Sequence, residues 1–308
     1  MHKVGISVVI LSWNTKNITD RCLTSMKESI DFVKDNANVE VVVVDNASSD
    51  GSPEMISRNH QWVKLLSLKE NLGYAAGNNF GVKHTNFQNR FLILMNNDIY
   101  VKDKTIEEAL DFMDKNPNCD VLGCYLEFPN GRFQPSAGYL PTPSSVWSWM
   151  WGLDKLPFIK NLFFPVHPKE RIFFKKDRKV GWVMGAFLFM KREVFEKTKG
   201  FDEKFFMYME EVEWCKRVEK AGYKIFYSPK FKITHVDKAS ALGDPERLIK
   251  IYKREIVGIV YYLRKHYPKD LGLLTFVIKV GVLFRFLAFS ILGNKIRSRA
   301  YWQALKEL

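Results

Sequence analysis

This sequence lacks the motifs that mark several common functional classes. No G-x-G-x-x-G run follows the first apolar segment, so a dinucleotide-dependent dehydrogenase is disfavoured. The four cysteines form neither a C-x-x-C pair nor a zinc-type spacing, and we interpret them as small core residues in a reducing compartment. No RNA- or DNA-binding motif is present, so no nucleic-acid partner is expected. No basic region, apolar stretch and cleavage site stand in series at the N-terminus, so a secretory signal is not expected.

The composition is basic and rich in apolar residues. The 308 residues are 46% hydrophobic, which is enough for one large domain, or for one domain with an appendage. The formal net charge is +13, and basic chains often bind nucleic acid, phosphorylated ligands or anionic membranes. Because no nucleic-acid motif accompanies this charge, we favour a phosphate or membrane partner, with a merely well-solvated surface as the alternative.

Four apolar segments alternate with helical patterns over about the first hundred residues. The second segment is apolar at nearly every position, as in a parallel strand that is covered on both faces. The predicted strands are Ile6–Leu11, Val39–Val44, Trp62–Leu68 and Phe91–Met95. This alternation predicts an α/β fold with a mostly parallel, doubly wound sheet and flanking helices.

Polar clusters follow three of these strands, at Ser12–Asn14, Asp45–Asp50 and Asn96–Asp98. The carboxyl ends of parallel strands share one edge of the sheet, where nucleotides bind in such folds. A carboxylate at this edge suits a divalent cation held against a diphosphate. The alternative for Asp98 is an ordinary Asn/Asp turn that ends a strand.

The second half of the chain is less regular. Residues 128–180 contain seven prolines and three closely spaced tryptophans, and we weigh equally a long insertion or lid and a loop that the tryptophans anchor to the core. Order returns at Gly181–Met190, and a helix is predicted over Glu210–Ala221, which Gly222 ends. A strand over Tyr223–Ser228 and a short apolar element over Ile233–Val236 complete this part.

The C-terminal tail contains an apolar segment, Leu271–Leu292, which Lys279 and Arg285 interrupt and basic residues flank. A spanning helix needs roughly 20 apolar residues. Two central cations would cost about 5–7 kcal/mol, which nearly cancels the apolar gain. We therefore favour a helix lying in the membrane interface with both cations reaching lipid phosphates. A true span and a helix buried in a homo-oligomer remain the alternatives.

The rim residues suit transfer of a sugar from a nucleotide diphosphate. A cation that neutralises the departing diphosphate needs a ligand, for which Asp98 is the candidate. Asn97 could bind the ribose, and Asp45 could accept from a pyrimidine N–H or a ribose hydroxyl. Ser12 and Asn14 could line the same pocket.

The acceptor hydroxyl needs a base, and three acids at the start of one helix compete for that role. They are Glu210, Glu211 and Glu213, and the helix dipole alone explains at least one of them. Crowded like charges raise a carboxylate's pKa, which favours a base that works near neutral pH, and Glu211 is the chosen candidate. His235 could complete the metal shell, although a lone histidine after a strand is more often structural.

These segments together resemble the family 2 glycosyltransferases of the GT-A fold, especially their rhamnosyltransferase-like branch. Each matching segment is weak alone, but the ordered set across about the first 240 residues is specific. The segments are Ser7–Asn14, Val41–Ser52, Asn71–Gly81, Leu92–Val101 and Gly185–Arg217.

The resemblance implies an inverting, single-displacement transfer with Mg²⁺ or Mn²⁺. Its nucleotide-contacting aspartate falls on Asp45, its metal motif on Asn96–Asp98 and its catalytic acid pair on Glu210 and Glu211. Only the last position of the metal motif keeps a carboxylate, and a metal-binding histidine of some relatives falls on His235. The remaining expected contacts are Asn71, Gly73 and Asn78 on the nucleotide-sugar side, and Trp182, Gly185 and Glu213, with Glu210, on the acceptor side.

The resulting hypothesis is a cytoplasmic enzyme, peripherally bound to the inner face of the cell membrane. It would move a sugar, with rhamnose as one candidate, from a dTDP- or UDP-sugar to a cell-surface glycan or a polyprenyl-diphosphate-linked acceptor. The expected organisation is a GT-A domain at 1–240 (nucleotide-binding half 1–101, insertion 128–180, acceptor half 181–240) and a helical membrane tail at 245–308. The alternatives are a sugar-phosphate nucleotidyltransferase and a non-catalytic glycan-binding protein on the same fold.

Overall fold

A mixed ten-stranded sheet forms the centre of the protein, and helices cover both of its faces. The computed structural model describes residues 3–153, 168, 170–236, 243–268 and 271–308. The strands of the main sheet and of a separate two-stranded ribbon are β1 (Val4–Ser12), β2 (Ala37–Asp45), β3 (Lys64–Ser67), β4 (Phe91–Asn96), β5 (Ile99–Tyr100), β6 (Val121–Glu127), β7 (Phe133–Gln134), β8 (Ala137–Gly138), β9 (Arg178–Lys179), β10 (Trp182–Val183), β11 (Phe187–Lys191) and β12 (Ile225–His235).

The first half of the sheet is parallel, as the sequence predicts. β3, β2, β1 and β4 lie side by side in that order, and all run in the same direction. The C-terminal half of β2, from Val41 to Asp45, is buried because helices pack on both faces, which explains its run of valines. The predicted α/β fold with a mostly parallel sheet is confirmed.

The second half of the sheet is mixed. β11 runs antiparallel between β4 and β6, and β12 runs parallel to β6. The predicted short element at Ile233–Val236 is not separate. It continues β12, whose register against β6 shifts between Ser228 and Lys232, so two apolar stretches belong to one irregular strand.

The helices form two layers and a C-terminal bundle. One layer consists of α1, α2 and α4, whose apolar sides pack into one core cluster. On the other face, α3 and α7 pack into the second core cluster. The helices are α1 (Lys16–Val33), α2 (Ser52–Asn59), α3 (Gly73–Lys83), α4 (Thr105–Lys115), α5 (Pro143–Trp151), α6 (Arg192–Lys197), α7 (Glu210–Lys220), α8 (Pro245–His266), α9 (Leu271–Ile291) and α10 (Lys295–Glu307).

The described part of the region 128–180 is ordered by its aromatic residues. Trp149 lies under the guanidinium of Arg285, and Trp151 stacks on Phe284, so α5 is fixed to α9. These contacts match the interpretation that the tryptophans anchor the segment. The remainder of the expected insertion, residues 154–167 and 169, lies outside the described residues.

The prediction that both cations of the apolar tail reach lipid phosphates is wrong for Arg285. Its guanidinium turns inward and donates to the carbonyl oxygens of Met150, at 2.8 Å, and Trp149. Both carbonyls lie in the last turn of α5, where that of Trp149 also accepts from the Gly152 N–H at 3.1 Å, so the arginine is satisfied within the protein. Lys279 is exposed on α9. The segment Leu274–Ile291 is long and apolar enough to cross a membrane, and 22% of it is buried.

Candidate active site

The sheet register brings the three polar strand ends together. Ser12 pairs with Asp45 across β1 and β2, and Leu11 pairs with Asn96 across β1 and β4. Neighbouring strands are roughly 4.8 Å apart, so the three clusters form one continuous rim. The expected gathering of polar residues at the carboxyl edge is therefore present.

Asp45 is buried at this rim with one carboxylate oxygen unused. Its Oδ2 accepts a hydrogen bond from the backbone N–H of Ser48 at 2.9 Å. Its Oδ1 is also buried and has no hydrogen-bond partner in the described protein. A buried acceptor of this kind suits an N–H or hydroxyl donor of a bound nucleotide.

The polar atoms of three rim residues mostly bind other parts of the protein rather than face a ligand; these residues are Asn14, Ser12 and Asn97. Asn14 has a left-handed backbone (φ 49°), and its Oδ1 accepts from the N–H of Ser49 at 2.7 Å, which joins two rim loops. The Nδ2 of Asn97 donates to Thr15 at 2.5 Å and Thr19 at 2.6 Å, and the Ser12 hydroxyl joins the same network. The expected ribose contact of Asn97 is thereby limited to its carbonyl oxygen, since its amide hydrogens bind α1.

Asn46, which sequence reasoning did not single out, organises the second rim loop. Its Nδ2 donates to Asn71 at 2.9 Å and to the carbonyl of Gly73 at 3.2 Å, while its Oδ1 accepts from the N–H of Leu72. Gly73 has φ +81°, and a Cβ there would lie 2.3 Å from the carbonyl oxygen of Phe206. This position therefore requires glycine.

Asn78 lies fully buried on α3, one turn beyond Tyr74. Its Nδ2 donates to the carbonyl of Tyr74 at 2.9 Å, and its Oδ1 has no partner in the described protein. Its orientation is thus fixed by the helix, and one acceptor stays available.

Asp98 and His235 form a pair that suits a divalent cation. Asp98 Oδ1 lies 3.3 Å from His235 Nε2, and both atoms are buried without a hydrogen bond in the described residues. His235 Nδ1 lies 2.9 Å from Gln134 Oε1 and donates to it, so Nε2 presents a lone pair to the carboxylate. Two facing lone pairs are stabilised by a cation between them, and neighbouring ligands of an octahedral ion are about 3 Å apart.

These two side chains would supply only part of a coordination shell. No group of three or more His, Cys, Asp or Glu residues that could hold a metal ion occurs among the described residues. Mg²⁺ and Mn²⁺ commonly take their other ligands from substrate phosphates and water. The donor set therefore fits a cation that binds together with a diphosphate. Gln134, the residue that sets the histidine tautomer, had no signal in the sequence.

Glu210 and Glu211 begin α7 directly after two residues with left-handed backbones, Tyr208 and Met209. Burial raises the pKa of Glu211 to about 7, against the opposing effect of backbone N–H groups that include Gly185. Burial and the adjacent charge of Glu211 raise the pKa of Glu210 well above its ordinary value. Glu211 therefore has the proton affinity of a base that works near neutral pH.

Tyr74 connects the acids of α7 with the cation pair. Its hydroxyl donates to the carbonyl of Gly185 at 2.6 Å. Burial, and then the charges of Glu210, Glu211 and Asp98, raise its pKa. The Gly185 N–H also reaches the Glu211 carboxylate, and the Ala186 carbonyl accepts from the N–H of Asn96 at 3.0 Å, so one short segment joins the candidate base to the end of β4 that precedes Asp98.

Gly185 and Trp182 shape the same wall. A Cβ at Gly185 would lie 2.9 Å from the Tyr74 hydroxyl, so the close approach depends on glycine. Trp182 is buried in β10, where it pairs with Gly138 of β8. Trp182 thus supports the wall from inside.

Glu213, which was expected on the acceptor side, is instead fully buried between α7 and α8. Its carboxylate binds Arg217 at 2.8 Å, Lys265 at 2.8 Å and His266 at 3.1 Å. Burial opposes its ionisation, but hydrogen bonds from these three residues outweigh it and lower the pKa to about 2. The structure gives Glu213 a packing role rather than an acceptor contact.

Known proteins match this chain in sequence. Residues 7–199 match the family model described as glycosyl transferase family 2. An N-acetylglucosaminyl-diphospho-decaprenol L-rhamnosyltransferase of Mycobacterium tuberculosis is 30% identical over 216 residues, or 67% of this chain and 69% of that protein. The rhamnosyltransferase WbbL of Escherichia coli is 25% identical over 53% of this chain and 60% of its own length.

Solved structures share the fold at low sequence identity. A mannosyltransferase from Pyrobaculum calidifontis, in complex with GDP-Man and Mn²⁺, superposes with a TM-score of 0.56 at 16% identity, over 99% of this chain and 87% of that one. Staphylococcus aureus TarS 1–349 in complex with UDP gives a TM-score of 0.52 at 15% identity, over 99% and 92%. The expected GT-A architecture is confirmed by these similarities.

Proposed function

Since this chain belongs to glycosyl transferase family 2, we propose that it transfers a sugar, with inversion, from a nucleotide diphosphate to a lipid-linked or cell-surface glycan acceptor. The observation that carries the proposal is the segment Gly185–Ala186, whose Gly185 N–H reaches Glu211 and whose Ala186 carbonyl binds the N–H of Asn96, two residues before Asp98. This link supports a base and a diphosphate-binding group that act at one site. The family match favours sugar transfer over the nucleotidyltransferase and non-catalytic alternatives.

The chemistry is a single displacement at the anomeric carbon of the donor. The acceptor hydroxyl attacks that carbon from the face opposite the leaving group, and its proton passes to the Glu211 carboxylate. The bond from the anomeric carbon to the diphosphate oxygen breaks, and its electron pair leaves with the diphosphate. A carboxylate whose pKa is raised to about 7 holds that proton better than an ordinary one.

The charge that develops on the diphosphate lies on the Asp98 side of the cleft. A divalent cation, when bound by Asp98 and His235, would neutralise this charge as it forms. Asp98 and His235 fit that role because their facing buried atoms lack other partners. Gln134 keeps His235 in the tautomer that this role needs.

The nucleotide would occupy the rim from Asp45 to Asn97. The unused Oδ1 of Asp45 is placed to accept from the base or the ribose, and the Asn71–Gly73 loop, held by Asn46, would bound the pocket. The rhamnosyltransferases among the relatives support rhamnose as the sugar and a diphospho-polyprenol glycan as the acceptor.

Access to such an acceptor would come from the membrane face of the C-terminal bundle. Large apolar side chains on α9 are exposed, including Phe276 at 65%, Leu287 at 50% and Ile291 at 86%. With the net charge of +13, this surface supports peripheral binding to the inner face of an anionic membrane.

The test is a transfer assay with defined donors. Purified protein is given dTDP-rhamnose or a UDP-sugar, an N-acetylglucosaminyl-diphospho-polyprenol acceptor, and Mg²⁺, Mn²⁺ or EDTA. We expect a glycosylated lipid whose new anomeric centre is inverted, as read by NMR, and loss of product in EDTA. A retained configuration would contradict the mechanism, and no transfer from any donor would contradict the function.

A further inference from the structure

Helix α8 is part of the cleft rather than a separate tail. Gly258 packs on the residues just before the catalytic helix, since a Cβ there would lie 3.1 Å from Met209 and 3.2 Å from the Tyr208 carbonyl oxygen. At its C-terminal end, Lys265 binds the buried carboxylate of Glu213. Glu255 contributes to the raised pKa of Glu211, after burial. α8 is therefore fixed across the start of α7.

One face of α8 runs beside the cleft, from the nucleotide side to the candidate base. Arg254 follows Arg247 by seven residues and Gly258 follows it by eleven, so all three lie on this face. The guanidinium of Arg247 lies 5.1 Å from the ring of Trp13, at the end of β1, and pairs with Asp244 at 3.2 Å. Arg254 therefore lies between the donor rim and the base.

The guanidinium of Arg254 is held in place but not neutralised. It lies 4.1 Å from the ring of Phe206, whose own carbonyl oxygen accepts from the Tyr74 N–H. Burial lowers its pKa. It forms no hydrogen bond or ion pair with any residue in the described ranges, and stacking leaves its N–H groups free to act as donors.

Three other partly buried arginines of the described chain have strong acceptors. Arg217 binds the Glu213 carboxylate, Arg192 binds hydroxyl and carbonyl oxygens of Ser7 and Asn89, and Arg285 binds the carbonyls that end α5. Taking a cation partly out of water without an acceptor is costly. Arg254 shares this lack of an acceptor with the Nε of Arg178, which stacks on Phe173, but Arg254 lies on the helix that crosses the start of α7.

We infer that Arg254 is a binding residue for a diphosphate group, presented to the cleft by α8. This inference rests on the proposed function, in which both the nucleotide donor and the lipid-linked acceptor carry a diphosphate. The planar guanidinium matches phosphate oxygens bidentately, and Phe206 orients it before the ligand arrives. Arg254 would then supply positive charge at a cleft whose own residues are mostly acidic.

The test compares Arg254→Met with Lys253→Met, which removes the neighbouring cation on another face of the helix, where it pairs with Glu307 of α10. Binding is measured by calorimetry to UDP with Mn²⁺ and to undecaprenyl diphosphate in detergent micelles. We expect Arg254→Met to weaken at least one of the two by about tenfold or more, and Lys253→Met to change neither more than about twofold. Weakened UDP binding assigns the donor diphosphate, and weakened lipid binding assigns the acceptor diphosphate.

Unchanged binding of both probes by Arg254→Met overturns the inference, and so does a wild type that binds neither. Arg254→Lys keeps the positive charge but loses the planar guanidinium that binds phosphate bidentately. This variant should lose less affinity than Arg254→Met, and that difference separates lost phosphate recognition from damage to the fold. If the wild type transfers sugar but Arg254→Met has normal KM values for donor and acceptor, only this inference fails. If the wild type transfers nothing, the proposed function fails.

Discussion

Replacing Glu211 by glutamine should change activity and stability in opposite directions. Burial raises the pKa of this carboxyl from 4.5 to about 7. A difference of that size means that the ionised form costs about 3 kcal/mol in the folded state. Glutamine has nearly the same shape and no charge, so the variant avoids this cost while it loses the proton acceptor.

The pH dependence of the stability gain follows from the two protonation equilibria. Below about pH 4.5, Glu211 is protonated in both the folded and the unfolded chain, so variant and wild type should be equally stable. As the pH rises through about 7, the wild type loses the stability that its neutral carboxyl gave the fold. The gap in Tm should therefore grow from near zero at low pH to about 5 °C at pH 8.

The activity of the same variant is measured in the transfer assay. Its turnover should fall by about 10²- to 10⁴-fold, the usual contribution of a general base, while UDP binds with unchanged affinity. In the wild type, kcat/KM should fall about tenfold for each pH unit below about 7. Wild-type turnover by Glu211→Gln, or a Tm gap that is equal at pH 5 and pH 8, would refute the assignment.

Glu210→Gln is the matched comparison for that experiment. It also removes a carboxyl whose pKa is raised by burial and by the charge of Glu211, so it should gain stability at neutral pH. It keeps the assigned proton acceptor, so its turnover should exceed that of Glu211→Gln. If Glu210→Gln loses more turnover than Glu211→Gln, the base is Glu210.

Three further changes test other parts of the molecule. Glu213→Gln should lower the unfolding free energy at pH 7 by about 3 kcal/mol in denaturant titrations, because a pKa near 2 makes the ionised form stabilising at neutral pH; equal stability would remove its ion-pair role. Asp98→Asn should abolish the rise in Tm that Mn²⁺ gives with UDP, and an unchanged rise would place the cation elsewhere. Phe276→Asp with Leu287→Asp should release the protein from anionic liposomes in sedimentation; if binding persists, α9 does not contact the membrane.

The sequence predicted the parallel half of the sheet and its polar rim because both depend on local patterns. The part of β2 that is buried on both faces, from Val41 to Val44, is apolar at every position, and the residues after it are polar because they reach the rim. Asp45 and Asp98 could therefore be placed at one edge before any contact was known. Their adjacency follows from the register of β1 with its two neighbours.

The remaining features depend on contacts between distant residues. β11 enters the sheet between β4 and β6, and nothing in its own residues encodes that antiparallel pairing. The fate of Arg285 was predicted wrongly because its acceptors are carbonyls at the end of α5, about 135 positions earlier. Glu213 differs from Glu211 because Lys265 and His266 of α8, together with Arg217 one turn later on α7, bind its carboxylate.

The cleft concentrates polar groups that the protein itself does not satisfy. Nine buried side-chain atoms in the described residues lack a hydrogen bond, and six of them belong to Asp45, Asn78, Asp98, Glu210, Glu211 and His235. Leaving such a group unpaired costs about 1–3 kcal/mol, so natural proteins keep few of them without a ligand to satisfy them. All six belong to residues to which the predicted site assigns the nucleotide sugar, the cation or the proton. Much of the energy that binds the substrates would thus come from pairing groups that folding leaves unpaired, which is why these positions cannot be optimised for stability without loss of function.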